Sequence, residues 1–190
     1  KYQELKKKKI NLKKKEKIFL EDAQYYIEDV RKSIIERLTY EKVYKQGFNI
    51  NTPINLELQK IATESLRKGL ERYDRRKGWR GALTNKTYNS KWSEGLEKYN
   101  LEKSINWKIS IIKKIRKFSV EIETQDGFDG IIEYSDISWT KKEFEELFST
   151  GDLVYVKKIK DKKFSLKQLP KINGGIVVMD PFTGRVLALS

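Results

Sequence analysis

The sequence contains neither histidine nor cysteine among its 190 residues. Without these side chains it can form no disulfide framework, no thiolate zinc site, no cysteine nucleophile and no Ser-His-Asp triad. The absence of cysteine does not identify a compartment, because it suits a reducing cytosol and a disulfide-free exported protein equally well. The sequence therefore predicts no metal site and no cofactor, and it excludes most of the common catalytic constellations.

Long hydrophobic runs are also missing. The longest apolar stretches, such as residues 174–180 and 186–189, are much shorter than the ~18 to 20 residues of a membrane-spanning helix. The first residues carry no apolar signal core, so we expect that these 190 residues do not cross a membrane. The chain opens on Lys1 and stops inside a strand-like apolar run at Ser190, which predicts that it is a piece of a longer protein.

Negative charge is scarce relative to positive charge, since 41 Lys plus Arg against 27 Asp plus Glu give a formal net charge of +14. The first 20 residues hold nine Lys and two Glu and carry half of that charge. Such a lysine block is typical of a solvated linker, with a nucleic-acid patch or an anionic-lipid patch as the alternatives. Leu5, Leu12 and Ile18 form no sustained apolar stripe, which favours the linker.

The remaining composition, 38% hydrophobic and 12% aromatic, is typical of a soluble globular protein with one or two small domains. Apolar residues at helical spacing predict a helix over residues 22–40 and a second helix that is capped by Asn55 and reaches Tyr73. Between them Gly47 breaks the chain, and residues 48–52 alternate like a short strand that ends at Pro53.

Five β-rich runs follow at close spacing, with a short helix over residues 141–148 between the third and the fourth. The runs cover residues 107–112, 119–124, 130–134, 153–156 and 164–167. This order matches an OB-type Greek-key barrel, in which closure of the sheet protects its edges, and a small SH3-like barrel is the competing architecture. Residues 175–189 then predict a hairpin of two strands with Pro181 and Gly184 in its turn.

The hairpin carries a recognisable pattern. Residues 168–189, reading QLPKINGGIVVMDPFTGRVLAL, closely resemble the opening of the transpeptidase domain in class A penicillin-binding proteins, the bifunctional peptidoglycan synthases. Its Gly-Gly, Asp-Pro-x-Thr-Gly and Val-Leu-Ala-Leu elements are specific when they occur together. Residues 21–30 are similar to the segment that links the family's two catalytic halves, and residues 51–59 and 69–81 resemble the lead-in to the OB-like insert of Gram-negative members.

Together these features predict an α+β fold: a small OB-like five-stranded antiparallel β-barrel, flanked by N-terminal helices and a partial transpeptidase β-hairpin. Residues 1–47 would be a basic linker and helix, and residues 48–83 the first transpeptidase-domain elements, a strand and a helix. Residues 84–169 would form the OB-like insert, which we expect to unfold as a separate cooperative unit. Residues 170–190 would be the truncated first transpeptidase hairpin.

In the family that this chain resembles, one half polymerises lipid II and the other cross-links stem peptides through the Ser of an S-x-x-K motif, with S-x-N and K-T-G elements. Here K-T-G is missing, and the glycosyltransferase signature would need a His. The resemblance therefore implies a non-catalytic scaffold or regulatory region of a peptidoglycan synthase. It would work at the periplasmic face of the bacterial inner membrane, with the membrane anchor and both active sites outside these residues.

The resemblance also implies the partners of this region. The first is the remainder of the penicillin-binding protein, which alone would contact peptidoglycan or lipid II, and the second is an envelope regulatory protein. A basic turn over residues 74–83 is the candidate protein-docking surface, because Trp and Arg are favoured interface anchors; a solvated hinge is the alternative. The candidate docking residues are Arg75, Arg76, Trp79 and Arg80.

The S-x-x-K matches Ser65 to Lys68 and Ser110 to Lys113 have the spacing that lets a lysine activate a serine within one helical turn. We expect neither to be catalytic. Ser110 and Lys113 lie in a strand-like run, where positions i and i+3 point to opposite faces, and Ser65 lies in mid-helix among apolar residues. The acidic pair Glu121 and Glu123 is predicted to lie on the solvent face of a strand.

An OB barrel also raises an alternative function, a module that binds single-stranded nucleic acid through a basic groove and aromatic platforms. Aromatic residues at alternating positions in so small a barrel are more often its core, and the excess of Lys over Arg indicates compositional bias, so nucleic acid is the less favoured partner. The candidate surface consists of Trp107, Phe118, Phe128, Tyr134, Trp139, Tyr155 and Phe164 with lysines 113, 114, 157, 158 and 160.

Overall fold

The computed structural model describes residues 21–102 and 104–190, so the basic linker predicted for the first 20 residues lies outside it. The chain begins with a 3-10 turn, Glu21–Ala23, and two helices, α1 (Gln24–Leu38) and α2 (Tyr40–Gln46). The sequence predicted one helix over residues 22–40. It is interrupted at Thr39, which has φ of 69° and cannot continue the α1 backbone.

Helix α3 (Leu56–Arg75) is the longest described helix. Its predicted cap is confirmed, because Asn55 Oδ1 accepts hydrogen bonds from the backbone N–H groups of Glu57 and Leu58, both at 3.0 Å. The strand predicted over residues 48–52 is wrong. That segment pairs with no other, and its apolar side chains Phe48 and Ile50 are exposed, so the alternation has no sheet to stabilise it.

Six strands form one sheet: β1 (Thr84–Asn85), β2 (Lys108–Ile115), β3 (Ser119–Thr124), β4 (Asp129–Glu133), β5 (Asp152–Lys160) and β6 (Lys163–Lys167). The strand order is β1-β5-β2-β3-β4-β6, and β5 also pairs with β6. Strands β2 to β6 therefore close into a barrel, with β1 as a short addition to β5. The β4–β6 pairing is parallel and the other barrel pairings are antiparallel. This closure confirms the OB-like barrel.

The barrel core lies between these strands and the helical turn that follows β4. That turn consists of α4 (Tyr134–Ile137), a 3-10 segment (Ser138–Thr140) and α5 (Phe144–Leu147), which is shorter than the helix predicted over residues 141–148. Strands β3 and β4 alternate between buried residues and half-buried or exposed ones. Gly130 is required at the closing seam, because a Cβ there would lie 2.3 Å from the Phe164 ring.

A second hydrophobic cluster covers the outer face of β2 and β5. Trp92 and Leu96, from the polar segment between β1 and β2, pack against the side chains of Ile109, Ile111 and Leu153. Because of this cover, β2 is buried on both faces at its centre, and four consecutive residues from Ile109 to Ile112 are buried. The weak periodicity of this segment did not predict that cover.

The predicted C-terminal hairpin is confirmed as β7 (Val177–Met179) paired with β8 (Val186–Leu189). The helices hold β8 by polar contacts: the Asn55 backbone N–H donates to the Leu187 carbonyl, and the Tyr26 hydroxyl donates to the Val186 carbonyl, both at 2.9 Å. Within the described residues, every helix is too short or too polar to span a bilayer.

Candidate docking site and the clasp at the barrel root

The basic turn after α3 contains the four predicted docking residues, and the structure gives them different environments. Arg80 is committed to an internal ion pair, because its Nη1 donates to the two carboxylate oxygens of Asp74 at 2.7 and 2.8 Å. Its Nη2 donates to the Leu169 carbonyl at 2.6 Å, and its backbone N–H donates to Gln168 Oε1 at 2.9 Å. Arg80 therefore joins the segment that leads into the barrel to the segment that leaves it.

Asp74, at the end of α3, is the centre of this network. It also accepts hydrogen bonds from Gln168 Nε2 at 2.8 Å and from the Lys171 backbone N–H at 3.2 Å. Burial alone would raise the pKa of the Asp74 carboxyl, but the bonds from Arg80, Gln168 and Lys171 outweigh it and hold the pKa below its usual value. We call Asp74, Arg80, Gln168 and Lys171 the clasp.

Trp79 and Arg75 are also used in packing. The Trp79 ring lies edge-on to Trp139 and Phe148, with centroids 6.1 and 6.0 Å away, and it packs on the barrel core. The Arg75 guanidinium lies 5.0 Å from the Trp139 ring centroid, and its Nη2 donates to the Leu166 carbonyl at 3.4 Å. Both side chains fix the end of α3 against the barrel.

Arg76 is the most available of the four. It is exposed, and its guanidinium lies 5.9 Å from the ring of Tyr73, which is half exposed. Sequence reasoning placed Tyr73 on the apolar face of the helix and so missed this pair. A cleft of about 330 Å³ opens at the clasp, with Trp79, Leu83, Lys167 and Pro170 in its lining. The exposed Arg–Tyr pair and the cleft are the features here that a protein partner can contact.

Glu123 forms a second polar network that the sequence did not predict. Its carboxylate accepts hydrogen bonds from Trp92 Nε1 at 2.9 Å, from the Tyr88 hydroxyl at 2.6 Å and from Lys113 Nζ at 3.2 Å. These bonds lower the pKa of Glu123 below its usual value, and the bond from Trp92 has the largest effect. The prediction of a solvated Glu123 is wrong, because this carboxylate anchors the covering segment to β3.

Neither Ser65 nor Ser110 has a catalytic geometry with the lysine of its S-x-x-K match. Ser110 is completely buried in β2, and its Oγ lies 3.5 Å from the Val154 carbonyl. Lys113 is bonded to Asp129 and Glu123, contacts that raise its pKa and so oppose the role of a base. Ser65 is exposed on α3, contrary to its predicted apolar surroundings, and none of the hydrogen bonds found among the described residues joins it to Lys68.

The aromatic residues proposed for nucleic-acid binding do not form one surface. Tyr155 and Phe164 are buried in the two clusters, whereas Phe118 and Phe128 are exposed in different loops. The outer face of β3 and β4, where OB folds bind single strands, carries Glu121, Glu123 and Glu133, paired with Arg116, Lys113 and Lys163. These pairs occupy the cations of the face and leave it without a basic groove, so it does not favour the nucleic-acid alternative.

The closed barrel, its parallel seam and its helical turn place the chain among proteins with an OB-like domain, and comparison with known proteins agrees. The family model for the penicillin-binding protein OB-like domain matches residues 59–172. Penicillin-binding protein 1A of Rickettsia bellii is 35% identical over 183 residues, which are 94% of this chain and 23% of that protein. The protein of the same name from Pseudomonas aeruginosa is 23% identical over 88% of this chain.

The fold is also found in a solved structure. The crystal structure of penicillin-binding protein 1A from Haemophilus influenzae matches with a TM-score of 0.67 at 22% identity, over 87% of this chain and 25% of that one. The chain therefore belongs to the penicillin-binding proteins that carry an OB-like domain, as its resemblance to that family predicted. It spans 23% of the length of the Rickettsia bellii relative.

Proposed function

We propose that this chain is a non-catalytic scaffold region of a bifunctional peptidoglycan synthase, a glycosyltransferase joined to a DD-transpeptidase, in bacterial cell-wall synthesis. It acts at the periplasmic face of the inner membrane, and the residues that polymerise and cross-link peptidoglycan belong to other parts of the protein. Family membership supports the peptidoglycan synthase. The observation that supports the scaffold role is the continuous path of contacts from the hairpin through α3 to the barrel.

The first half of α3 holds the hairpin. The Gln59 side chain is 1% exposed and pairs with the backbone of Leu189 in both directions, since its Nε2 donates to the carbonyl and its Oε1 accepts from the N–H, each at 2.9 Å. Its Nε2 also donates to the Asp22 carbonyl at 2.8 Å. One side chain thus joins the start of α1, α3 and the end of β8.

The second half of α3 holds the barrel. Arg67 donates to the backbone carbonyl and the hydroxyl of Ser104 at 3.0 and 2.8 Å. One turn further on, Glu71 pairs with Lys167 of β6 at 2.6 Å, and the clasp follows at Asp74. Because a single helix carries both sets of contacts, a displacement of the barrel is passed to the hairpin. In this proposal the barrel sets the position of the transpeptidase half.

We assign the exposed pair of Arg76 and Tyr73, together with the cleft at the clasp, to an envelope regulatory protein. A partner bound there would contact the last turn of α3 and the clasp together, so its binding energy would act on the contact between barrel and helix. The Arg76 side chain is free to pair with a carboxylate of the partner, and the Tyr73 ring offers flat contact area.

The proposal is tested in the longer protein. We expect fluorescent penicillin to label the full-length product covalently and to leave the 190-residue chain unlabelled. Asp74→Asn in the full-length protein, which weakens the clasp, is expected to lower cross-linking relative to glycan polymerisation. Asp126→Asn, which removes the more exposed Lys108–Asp126 ion pair, is the matched control and should change neither activity.

Two results would overturn the scaffold role. Penicillin labelling of the 190-residue chain would mean that a serine of this chain is the nucleophile. Equal cross-linking by the wild type and by Asp74→Asn, with the clasp shown to be weakened by a lower melting temperature, would mean that the barrel does not position the transpeptidase half.

A further inference from the structure

The β5–β6 hairpin ends in a concentrated group of lysines. Residues 157–162 read KKIKDK and carry a net charge of +3. The last four residues of β5 are all exposed, directly after four buried ones. We call Lys157, Lys158, Lys160 and Lys162 the lysine tip. It lies where β5 continues past its pairing with β2 and turns back into β6.

Among the described residues, the lysines of the tip have no carboxylate partner, and Lys114 is the other strand cation without one. Most strand cations outside the tip are neutralised locally: Lys108 by Asp126, Lys113 by Glu123 and Asp129, Arg116 by Glu121, Lys163 by Glu133 and Asp136, and Lys167 by Glu71. Among the ion pairs found between described residues, none includes a lysine of the tip. Asp161 is the one acidic residue within the turn itself. The positive charge of the tip is therefore available to an external partner.

Two large apolar side chains are exposed at the same end of the barrel. Ile159 sits at a bulge in β5, where the register shifts between Lys158 and Lys160, and it is 47% exposed. Phe128 lies in the β3–β4 loop and is 60% exposed. Since Ile131 of β4 pairs with Lys163 of β6 in parallel, the β3–β4 and β5–β6 loops are at the same end.

We propose that the lysine tip, together with Ile159 and Phe128, binds the anionic phosphate headgroups of a lipid bilayer. Lysines contribute to such binding as separate point charges, each attracted to a negatively charged surface without a fixed geometry. An exposed apolar side chain among them can enter the boundary between headgroups and acyl chains. Asp126 and Asp129, the acidic residues of the neighbouring loop, are already paired with Lys108 and Lys113 and so do not cancel the tip.

A bilayer fits this surface better than a nucleic acid does. A single strand needs a continuous basic groove with stacking platforms, whereas the cations of the adjoining β3–β4 face are already paired with Glu121, Glu123 and Glu133. The tip is also a short turn, not an extended groove that could follow a nucleic-acid backbone. It contains no arginine, the residue best suited to bind individual phosphates. A flat anionic surface requires only that the end of the barrel touch it.

The test is vesicle binding by the 190-residue chain, with the tip variant Lys157→Gln, Lys158→Gln, Lys160→Gln and Lys162→Gln. The control variant carries the same loss of charge at exposed helix and turn positions, Lys42→Gln, Lys60→Gln, Lys68→Gln and Lys77→Gln. Binding is measured by co-sedimentation with vesicles of phosphatidylcholine plus phosphatidylglycerol, and of phosphatidylcholine alone. A thermal melt shows that each variant is folded, and the basic segment of residues 1–20 is the same in all three chains.

We expect the wild type to bind only the anionic vesicles, and the tip variant to bind them at least about tenfold more weakly, since each lysine near the surface contributes several-fold. The control variant should lose less than about threefold, and Ile159→Ser should weaken binding with no change of charge. Equal losses in the tip and control variants would overturn the proposal, as would absence of binding to anionic vesicles. Tip-dependent binding of single-stranded DNA without vesicle binding would instead assign the tip to nucleic acid.

Discussion

The barrel and the helix–hairpin part of this chain are held together in different ways. In the part of the chain that the structure describes, both hydrophobic clusters lie in the barrel, its covering segment and its lead-in. Besides Tyr26, the helices and hairpin bury small or polar side chains, such as Ala62, Ala188 and Gln59, and leave Ile61, Val177 and Met179 exposed. The barrel thus has its own core, whereas the helix–hairpin part depends on a few directed hydrogen bonds.

Separating the two parts tests whether the barrel folds without the helices and the hairpin. A fragment of residues 77–171 keeps the core, its covering segment and Trp79, so we expect one cooperative unfolding transition by calorimetry. The predicted insert, residues 84–169, should also melt cooperatively but at a lower temperature, because it lacks the packing of Trp79 and Ala82. A flat trace for the longer fragment would show that the barrel does not fold alone.

Substitution of two isoleucines compares the stability contributions of the two parts within the intact chain. Ile122→Ala removes a fully buried side chain from the barrel core and should lower the free energy of unfolding by about 2–5 kcal/mol. Ile61→Ala, on the exposed face of α3, should change it by less than about 0.5 kcal/mol. Denaturant unfolding measures both. Similar losses at the two positions would mean that the face of α3 is covered in solution.

The clasp predicts a dependence on pH. The lowered pKa of Asp74 means that its contribution to stability is complete above the unfolded-state value of about 4 and is lost as pH falls through the folded-state pKa. Asp74→Asn should lower the free energy of unfolding by about 2 kcal/mol near neutral pH. Its melting temperature should also fall less steeply than that of the wild type below about pH 4. Parallel pH curves would refute this assignment.

Gln59 tests the directed hydrogen bonds of the other part. Gln59→Leu leaves the Leu189 N–H and carbonyl without their partners, and we expect a loss of about 1–2 kcal/mol that is confined to the hairpin. Hydrogen exchange should become faster at Leu189 and Val186, while exchange in β2 and β3 is unchanged. Faster exchange in both regions would show that the hairpin and the barrel unfold together.

The smallest stability effect is expected at the docking turn. Arg76→Ala should change the free energy of unfolding by less than about 0.5 kcal/mol, because the one contact found for its side chain among the described residues is with the exposed ring of Tyr73. Arg80→Ala should cost about 1.5–3 kcal/mol through the clasp. If Arg76→Ala proved as costly as Arg80→Ala, the turn would be structural throughout and Arg76 would lose its assignment to docking.

Much of the fold was predictable because its signals are local. Alternation identified β3 and β4, helical spacing identified α3, and Asn55 was recognised as its cap. The break at Thr39 is a change of backbone conformation that helical spacing does not encode. The attachment of the segment that contains Trp92 depends on contacts with distant residues, which no local period encodes. The strand predicted over residues 48–52 failed for the same reason, since alternation alone does not supply a pairing partner.

The candidate site was predicted less well than the fold. Composition correctly located a turn rich in Arg and Trp, but it could not indicate which side chains would face inward. Asp74, six residues before Arg80, is the acidic residue that captures that arginine, and Gln168 arrives from 94 residues away. The carboxylate of Glu123 was assigned to solvent because its partners Tyr88 and Trp92 lie in a segment with no clear pattern.

The clasp has a mechanical consequence. Arg80 lies in the segment that enters the barrel and Leu169 in the segment that leaves it, and a hydrogen bond joins them directly. A pulling force applied along the backbone, from α3 to the hairpin, would therefore pass through this crosslink before it reached any β-strand. The barrel therefore lies outside the path of the force. It would stay folded while the clasp carries the tension between α3 and the hairpin.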